Sequence, residues 1–165
     1  MNTRRPSIVL SLRPALAIDH PALIALLDET FRDTWLPHLS PRAAQAWWSE
    51  NRASRYVAEY GSAFMVAESG GELAGFIHHR GDFIEGLHVG RRFRRQGVGL
   101  ALLGNAEQAM RELSHLLSRL ETDTFNSASR SFYGACGYRE ADQYPDQEWD
   151  SGLTTVLMTK ALGKP

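Results

Sequence analysis

Residues 83–103 read FIEGLHVGRRFRRQGVGLALL. The stretch opens with Phe83, Ile84, Leu87 and Val89, a short apolar run that predicts a buried strand, and closes on apolar residues at helical spacing. Between them Arg91, Arg92, Arg94 and Arg95 precede Gly97 and Gly99, so guanidinium groups, backbone amides and a helix N-terminus converge on one turn. That combination is an anion cradle, and a phosphate or pyrophosphate is the guest it fits. The charge is local, because the 165-residue chain has a formal net charge of -1 and no basic face for nucleic acid. A Walker loop is excluded, since no Gly-Lys-Ser or Gly-Lys-Thr follows, and the three-glycine dinucleotide pattern is not met.

Outward from this centre, the chain reads as one domain over residues 1–165. Ser7–Leu12 alternates as a first strand ended by Pro14. Asp19 is placed to cap a helix with Pro21 in its first turn, and Ser40 with Pro41 begins a second, whose inward stripe is Ala43, Ala44, Trp47 and Trp48. Phe64–Glu68 and Leu73–His79 are strands joined by the turn Ser69-Gly70-Gly71-Glu72, and the central strand follows. A helix is expected over Gly97–Leu113 and a strand over Leu117–Phe125. A short helix capped by Ser127 should then run through Ala135, before closing strands over Tyr138–Ala141 and Leu153–Lys160. The fold class is mixed α/β, a mostly antiparallel sheet with helices on both faces.

With 43% hydrophobic residues the chain is long enough to bury about 70% of its unfolded surface. One cysteine, Cys136, rules out an internal disulfide framework and suits a reducing compartment. No apolar run of membrane-spanning length and no signal-peptide pattern is present, so a cytoplasmic protein without membrane association is expected. Six scattered histidines have no metal-ligand spacing, and the adjacent strand residues His78 and His79 face opposite ways, so no metal is expected.

Arg94, Gly97 and Gly99, with Arg95, Gln96 and Val98 between them, resemble the phosphate-loop pattern of the GNAT superfamily of N-acetyltransferases, and DTFNSASRSFYGACGYRE over residues 123–140 is similar to its second half. The resemblance implies a sheet splayed at an acetyl-CoA site and a loop (Arg94, Arg95, Gln96, Gly97, Val98, Gly99) that holds the pyrophosphate. It also implies exposed amides at Leu87, His88 or Val89 beside a bulge, a pantetheine contact at Asn126, and Tyr133 as the acid that protonates the leaving sulfur. Gly86 within the central strand independently points to a bulge or a close backbone approach. The IEGLHV context resembles aminoglycoside N-acetyltransferases of the 6'-position type, which makes Glu85 the first candidate for base or acceptor contact. Asp123 and Glu121 share a strand face and could act through water. His88 is a weaker candidate for base.

Trp35 and His38 lie in the loop between the first two helices, which in this architecture walls the acceptor. Asp142, Asp146, Glu148, Trp149 and Asp150 lie in the late loop. Acids and aromatics around a cleft favour a cationic amine. The acceptors left open are a polyamine, an aminoglycoside, an amino acid derivative or a protein N-terminus. A non-catalytic acyl-CoA-binding module is the alternative from another class. Homodimerisation through an exposed sheet edge is also left open.

Overall fold

The computed structural model describes residues 8–149 and 151–163. Its frame is a seven-stranded sheet in the order β1-β2-β3-β4-β5-β7-β6. The strands are β1 (Ser11–Pro14), β2 (Met65–Ser69), β3 (Glu72–Arg80), β4 (Phe83–Val89), β5 (Leu117–Asp123), β6 (Arg139–Pro145) and β7 (Thr154–Ala161). Every neighbouring pair is antiparallel except β4 with β5.

The two faces of the sheet follow from strand alternation. Ala67, Ile77 and Ile84 point to one face, where α4 (Val98–Glu112) packs through Leu102, Leu103, Ala106 and Met110. Val66 and Phe76 point to the other, beneath α1 (His20–Thr30) and α3 (Arg52–Tyr60), with Leu23, Leu27 and Val57 in contact. Helices therefore cover both faces, as the sequence predicts.

Several boundaries differ from expectation for physical reasons. The first strand is Ser11–Pro14, not Ser7–Leu12, and Ser7 lies outside the described residues. Its register is pinned by Arg13, whose guanidinium reaches Asp19 at 2.8 Å and Glu68 of β2 at 2.9 Å. Asp19 does not cap α1. Its carboxylate instead accepts the Leu16 amide at 2.7 Å, and the Arg13 hydrogen bond holds its pKa down at about 2. α2 (Pro41–Ser49) is capped as expected, with Ser40 Oγ accepting the Ala43 amide at 3.2 Å. A helix absent from the sequence reading, α3, follows at once, because Asn51 at φ 49° turns the chain between the two. β5 ends at Asp123, where the Asn126 amide folds back onto the Asp123 carbonyl at 3.0 Å. β6 runs on to Pro145, past the expected Ala141, because Ala141 is taken up as a bulge against β7.

The sheet comes apart in the middle. β4 pairs with β5 only at Phe83↔Arg119 and Ile84↔Leu120, a joint clamped by the Arg119 fork on Asp82 at 2.8 and 3.0 Å. On its other side β4 keeps its ladder with β3, yet the register passes from His78↔Gly86 to His79↔Ile84 and leaves Glu85 unopposed. This bulge bends β4 away from β5. The helices that follow the two strands, α4 and α5 (Ser127–Ala135), begin where the strands diverge, at the carboxyl ends that form a ligand crevice in parallel pairs.

Candidate functional site

The wedge between β4 and β5 opens into a cavity of about 1410 Å³ that runs from the turn before α4 to the late loop. At its first end Gly97 adopts φ 86° as the residue before α4, and the space where its Cβ would stand is empty. Arg95 is also left-handed, at φ 61°. The pair turns the chain so that the first amides of α4, which have no partner within the helix, face the opening. A Cβ on Gly99 would come within 3.3 Å of the Phe132 ring, so glycine there lets α4 and α5 close on each other.

The arginine cluster is less free than its sequence implies. Arg91 is ion-paired with Asp33, whose carboxyl it holds below the usual range, and Arg92 meets Glu72 at 3.0 Å. Arg94 donates to the Val89 carbonyl at 3.1 Å and meets Asp33 at 3.2 Å, which ties the cradle to β4 and to the segment after α1. Gln96 donates to the Arg92 carbonyl at 2.6 Å and lies off the cavity wall. Among the described residues, only the Arg95 side chain of this group has no protein partner, and it is exposed on the cavity rim. The cradle is thus chiefly backbone, with one loose guanidinium.

Leu87, His88 and Val89 lie on the cavity wall past the point where β5 pairing ends, so β4 amides directed to that side have no strand partner. The bulge expected at Gly86 falls on Glu85 beside it. Glu85 reaches the cavity, but its carboxylate is gripped by Arg80 at 2.7 Å. Tyr133 is buried, edge-on to Phe132 and Tyr138, and burial pushes its phenol above the ordinary tyrosine value. Its hydroxyl has no hydrogen-bond partner among the described residues, and the ring borders the cavity. Asn126, not Ser127, caps α5: its Oδ1 accepts the Ser129 amide at 3.1 Å, which leaves its amide group at the cavity edge.

The far end is acidic and aromatic. Trp35 donates its indole N–H to Asp123 at 2.8 Å, and burial raises the Asp123 carboxyl above the usual range despite that bond. His38, expected beside it, stacks on Phe125 at 3.9 Å and stands off the cavity wall. The late loop folds over the cleft: Trp149 lies 4.6 Å under the Arg52 guanidinium and packs near Phe31 and Trp47. Asp146 and Glu148 thereby enter the cavity wall. Withdrawal from bulk water, reinforced by Asp146, Glu121 and Glu85, raises the Glu148 carboxyl. Asp142 stays outside on β6, and Asp150 lies outside the described residues.

The sequence reading missed the α3 contribution. Tyr56 and Tyr60 line the cavity, and Tyr56 Oη lies 2.6 Å from Nδ1 of the buried His78. The signal was available in Ala53, Tyr56, Val57 and Tyr60, which repeat at i, i+3, i+4 and i+7. Cys136 is half-buried with its thiol raised by burial, which disfavours an acyl-carrier role. No cluster of potential metal ligands and no helix long and apolar enough to cross a membrane occur among the described residues.

Comparison with known proteins agrees with this fold. An uncharacterized N-acetyltransferase of Lactobacillus delbrueckii subsp. lactis is 27% identical over 160 residues, 87% of this chain and 92% of that protein. The N-alpha-acetyltransferase of Sulfurisphaera tokodaii is 29% identical over 102 residues, 52% of this chain and 61% of that one. Among solved structures, a GCN5-related N-acetyltransferase of Rhodopseudomonas palustris superposes with a TM-score of 0.80 at 20% identity, covering 96% of this chain and 99% of that one. The PaiA N-acetyltransferase of Thermoplasma acidophilum, solved in complex with coenzyme A, gives 0.74 at 22% identity, covering 93% and 99%. Residues 20–138 match the family described as the acetyltransferase (GNAT) family, so the chain belongs to the GNAT N-acetyltransferases.

Proposed function

We propose that this acyltransferase moves an acetyl group directly from acetyl-CoA to the primary amine of a small cationic acceptor. The observation that carries the reading is the β4–β5 wedge, because it joins a backbone phosphate cradle to an acidic, aromatic chamber through one cavity. The residues at the first end fit a coenzyme A group: empty space over Gly97, unspent amides at the start of α4, and the loose Arg95. When bound, acetyl-CoA supplies the activated carbonyl and the thiol leaving group.

The chain's own groups then divide the work. Amides in Leu87–Val89 on the unpaired side of β4 polarise the carbonyl oxygen and stabilise the charge that grows there. The Asn126 amide group orients the pantetheine arm. Tyr133, kept protonated at working pH by its raised pKa, donates a hydrogen bond to the departing sulfur. Glu85, Asp123 and Glu148 collect the acceptor by charge, while Trp35 and Trp149 offer aromatic faces to the cation. A protein N-terminus is a second acceptor class, favoured by the likeness to the Sulfurisphaera N-alpha-acetyltransferase.

Thiol release from acetyl-CoA should be followed with a polyamine, an aminoglycoside, amino acid amides and a short peptide with a free N-terminus. Release with one of the first three and not with the peptide is the expected result. Release with the peptide alone would replace the small-amine reading. Saturable binding of acetyl-CoA without release for any amine would leave a binding module.

A further inference from the structure

His88 sits in β4 with its ring stacked on Phe76, centroids 5.1 Å apart, and beside Trp35 at 6.1 Å. Its Nδ1 lies 2.9 Å from Thr30 Oγ1, and that hydroxyl donates its single proton to the Leu27 carbonyl at 3.1 Å. With the hydroxyl proton on that carbonyl, Thr30 accepts from Nδ1–H and the ring's lone pair is left on Nε2; the other tautomer would turn the Thr30 proton to Nδ1. Nε2 has no protein partner among the described residues, and His88 lines the cavity.

The space in front of Nε2 is open because residue 86 is glycine. A Cβ built there would lie 3.4 Å from His88 Nε2 and 3.4 Å from Tyr56 Oη, so the two polar atoms flank the same side-chain space on the cavity wall. A nitrogen arriving over Gly86 meets both of them. Gly86 therefore does more than accompany the bulge: it leaves a berth where any larger residue would put carbon.

We propose that His88 Nε2 receives the proton of the attacking amine, with Gly86 providing the berth, Tyr56 bordering it and Thr30 fixing the tautomer. This assignment rests on the acetyl-transfer reading above. As the amine nitrogen bonds to the thioester carbonyl carbon, one N–H proton passes to Nε2. The C–S bond then breaks, the thiolate is protonated from the Tyr133 hydroxyl, and cavity water carries the proton from the imidazolium to the phenolate. The sum is amine plus thioester giving amide plus thiol, with no other reagent.

Burial, aided by the Arg94 guanidinium, pushes the His88 pKa down to about 4, so the ring is neutral whenever an acceptor arrives. Phe76, Thr30 and Trp35 bring no charge against it. Arg94, itself paired with Asp33, and the Tyr56 phenol, raised by burial, are the charged and titratable groups that face it. A base this weak does not strip a free ammonium, so the attacking nitrogen arrives as the neutral amine, its first proton lost to solvent, while any other cationic group of the acceptor keeps its charge. It acts as the C–N bond forms, when the nitrogen's proton has become acidic.

The test begins with long-range ¹H–¹⁵N correlation of the histidine rings in the wild-type protein at pH 7, where a neutral His88 carrying its proton on Nδ1 is expected. His88→Asn keeps an N–H for Thr30 and removes Nε2. It should hold acetyl-CoA within about twofold and lose about 10²-fold in turnover, in the range of a lost general base. Gly86→Ala, whose methyl makes only ordinary contacts, should stay folded, keep acetyl-CoA binding and raise KM for the amine about tenfold or more. An Nε2-protonated or cationic ring, or His88→Asn turning over at the wild-type rate, overturns the assignment while leaving acetyl transfer intact. A wild-type protein that neither binds acetyl-CoA nor releases thiol takes both down.

Discussion

Two groups of acids lie on opposite sides of this sheet and are treated in opposite ways. Beneath α4, Glu107 is 4% exposed and fully engaged: Lys160 reaches its two oxygens at 2.9 and 2.8 Å, Tyr138 donates at 3.1 Å and Arg111 lies at 3.5 Å. Tyr138 in turn accepts from Ser118 at 2.7 Å, so every member is answered. In the cleft Asp123 has one donor, Trp35, and the neighbours that raise Glu148 are themselves acids. A buried charge with all its partners is structure. Arg52 offsets only part of the charge at Glu148, and acids kept half out of water with so little compensation carry a cost that a cationic ligand would relieve, which is why the cleft is the candidate acceptor site.

The largest effect should come from breaking the closed group. Glu107→Ala leaves Lys160 without its acid and is expected to cost about 3 kcal/mol, roughly 6–12 °C in Tm, with kcat per folded molecule unchanged. Thermal melts beside active-site-normalised rates check this, and a variant that melts normally but loses activity would put Glu107 in the site. The converse is expected of Tyr133→Phe. Its hydroxyl has no partner to lose among the described residues, so Tm should stay within a few degrees while turnover falls about 10²-fold and coenzyme A affinity shifts only a few fold. Wild-type turnover would remove Tyr133 from the mechanism.

Arg95→Glu sets the loose guanidinium of the cradle against the paired ones. It should weaken acetyl-CoA binding about tenfold or more without unfolding the turn, whereas Arg94→Glu should also loosen the turn through Asp33 and Val89. Isothermal titration with circular dichroism separates the two, and equal affinity in Arg95→Glu and wild type would assign the phosphates elsewhere.

The smallest effect is a shift with pH. The raised folded pKa of Asp123 means that the native state binds more protons than the unfolded chain between the two pKa values, so this group costs stability increasingly as pH rises through that window. Asp123→Asn, which keeps an oxygen for Trp35, should therefore raise Tm by on the order of 2 °C at pH 7 and raise KM for the amine. In the wild type, KM should climb as pH falls through the raised range of Asp123 and Glu148, starting above the usual carboxylate region. A flat profile would mean that the acids of the cleft do not hold the acceptor.

Much of this was legible in local signals. The strand, turn and helix of residues 83–103 are each short-range, Gly97 stands where a positive φ demands glycine and Gly99 where α4 and α5 close on each other, so the local turn before α4 was legible in the sequence. Long-range pairing was not legible. Nothing near Arg91 or Arg94 announces that Asp33 will claim them, and nothing near His38 announces Phe125. Asn126 was read for its ligand capacity although a residue before a short helix is first of all a cap. The late loop could be placed over the cleft only once Arg52, Phe31 and Trp47 were seen to hold Trp149.

The most direct test of the account is a thermal-shift titration of the wild-type protein with acetyl-CoA up to about 1 mM, in the upper range of ordinary KM values. A saturable rise in Tm is predicted, with stabilisation approaching about 2.7 kcal/mol at a hundredfold excess over Kd, or roughly 5–11 °C for a chain of this size. An unmoved melting curve across the whole range would contradict the cradle, and with it the assignment of the cleft.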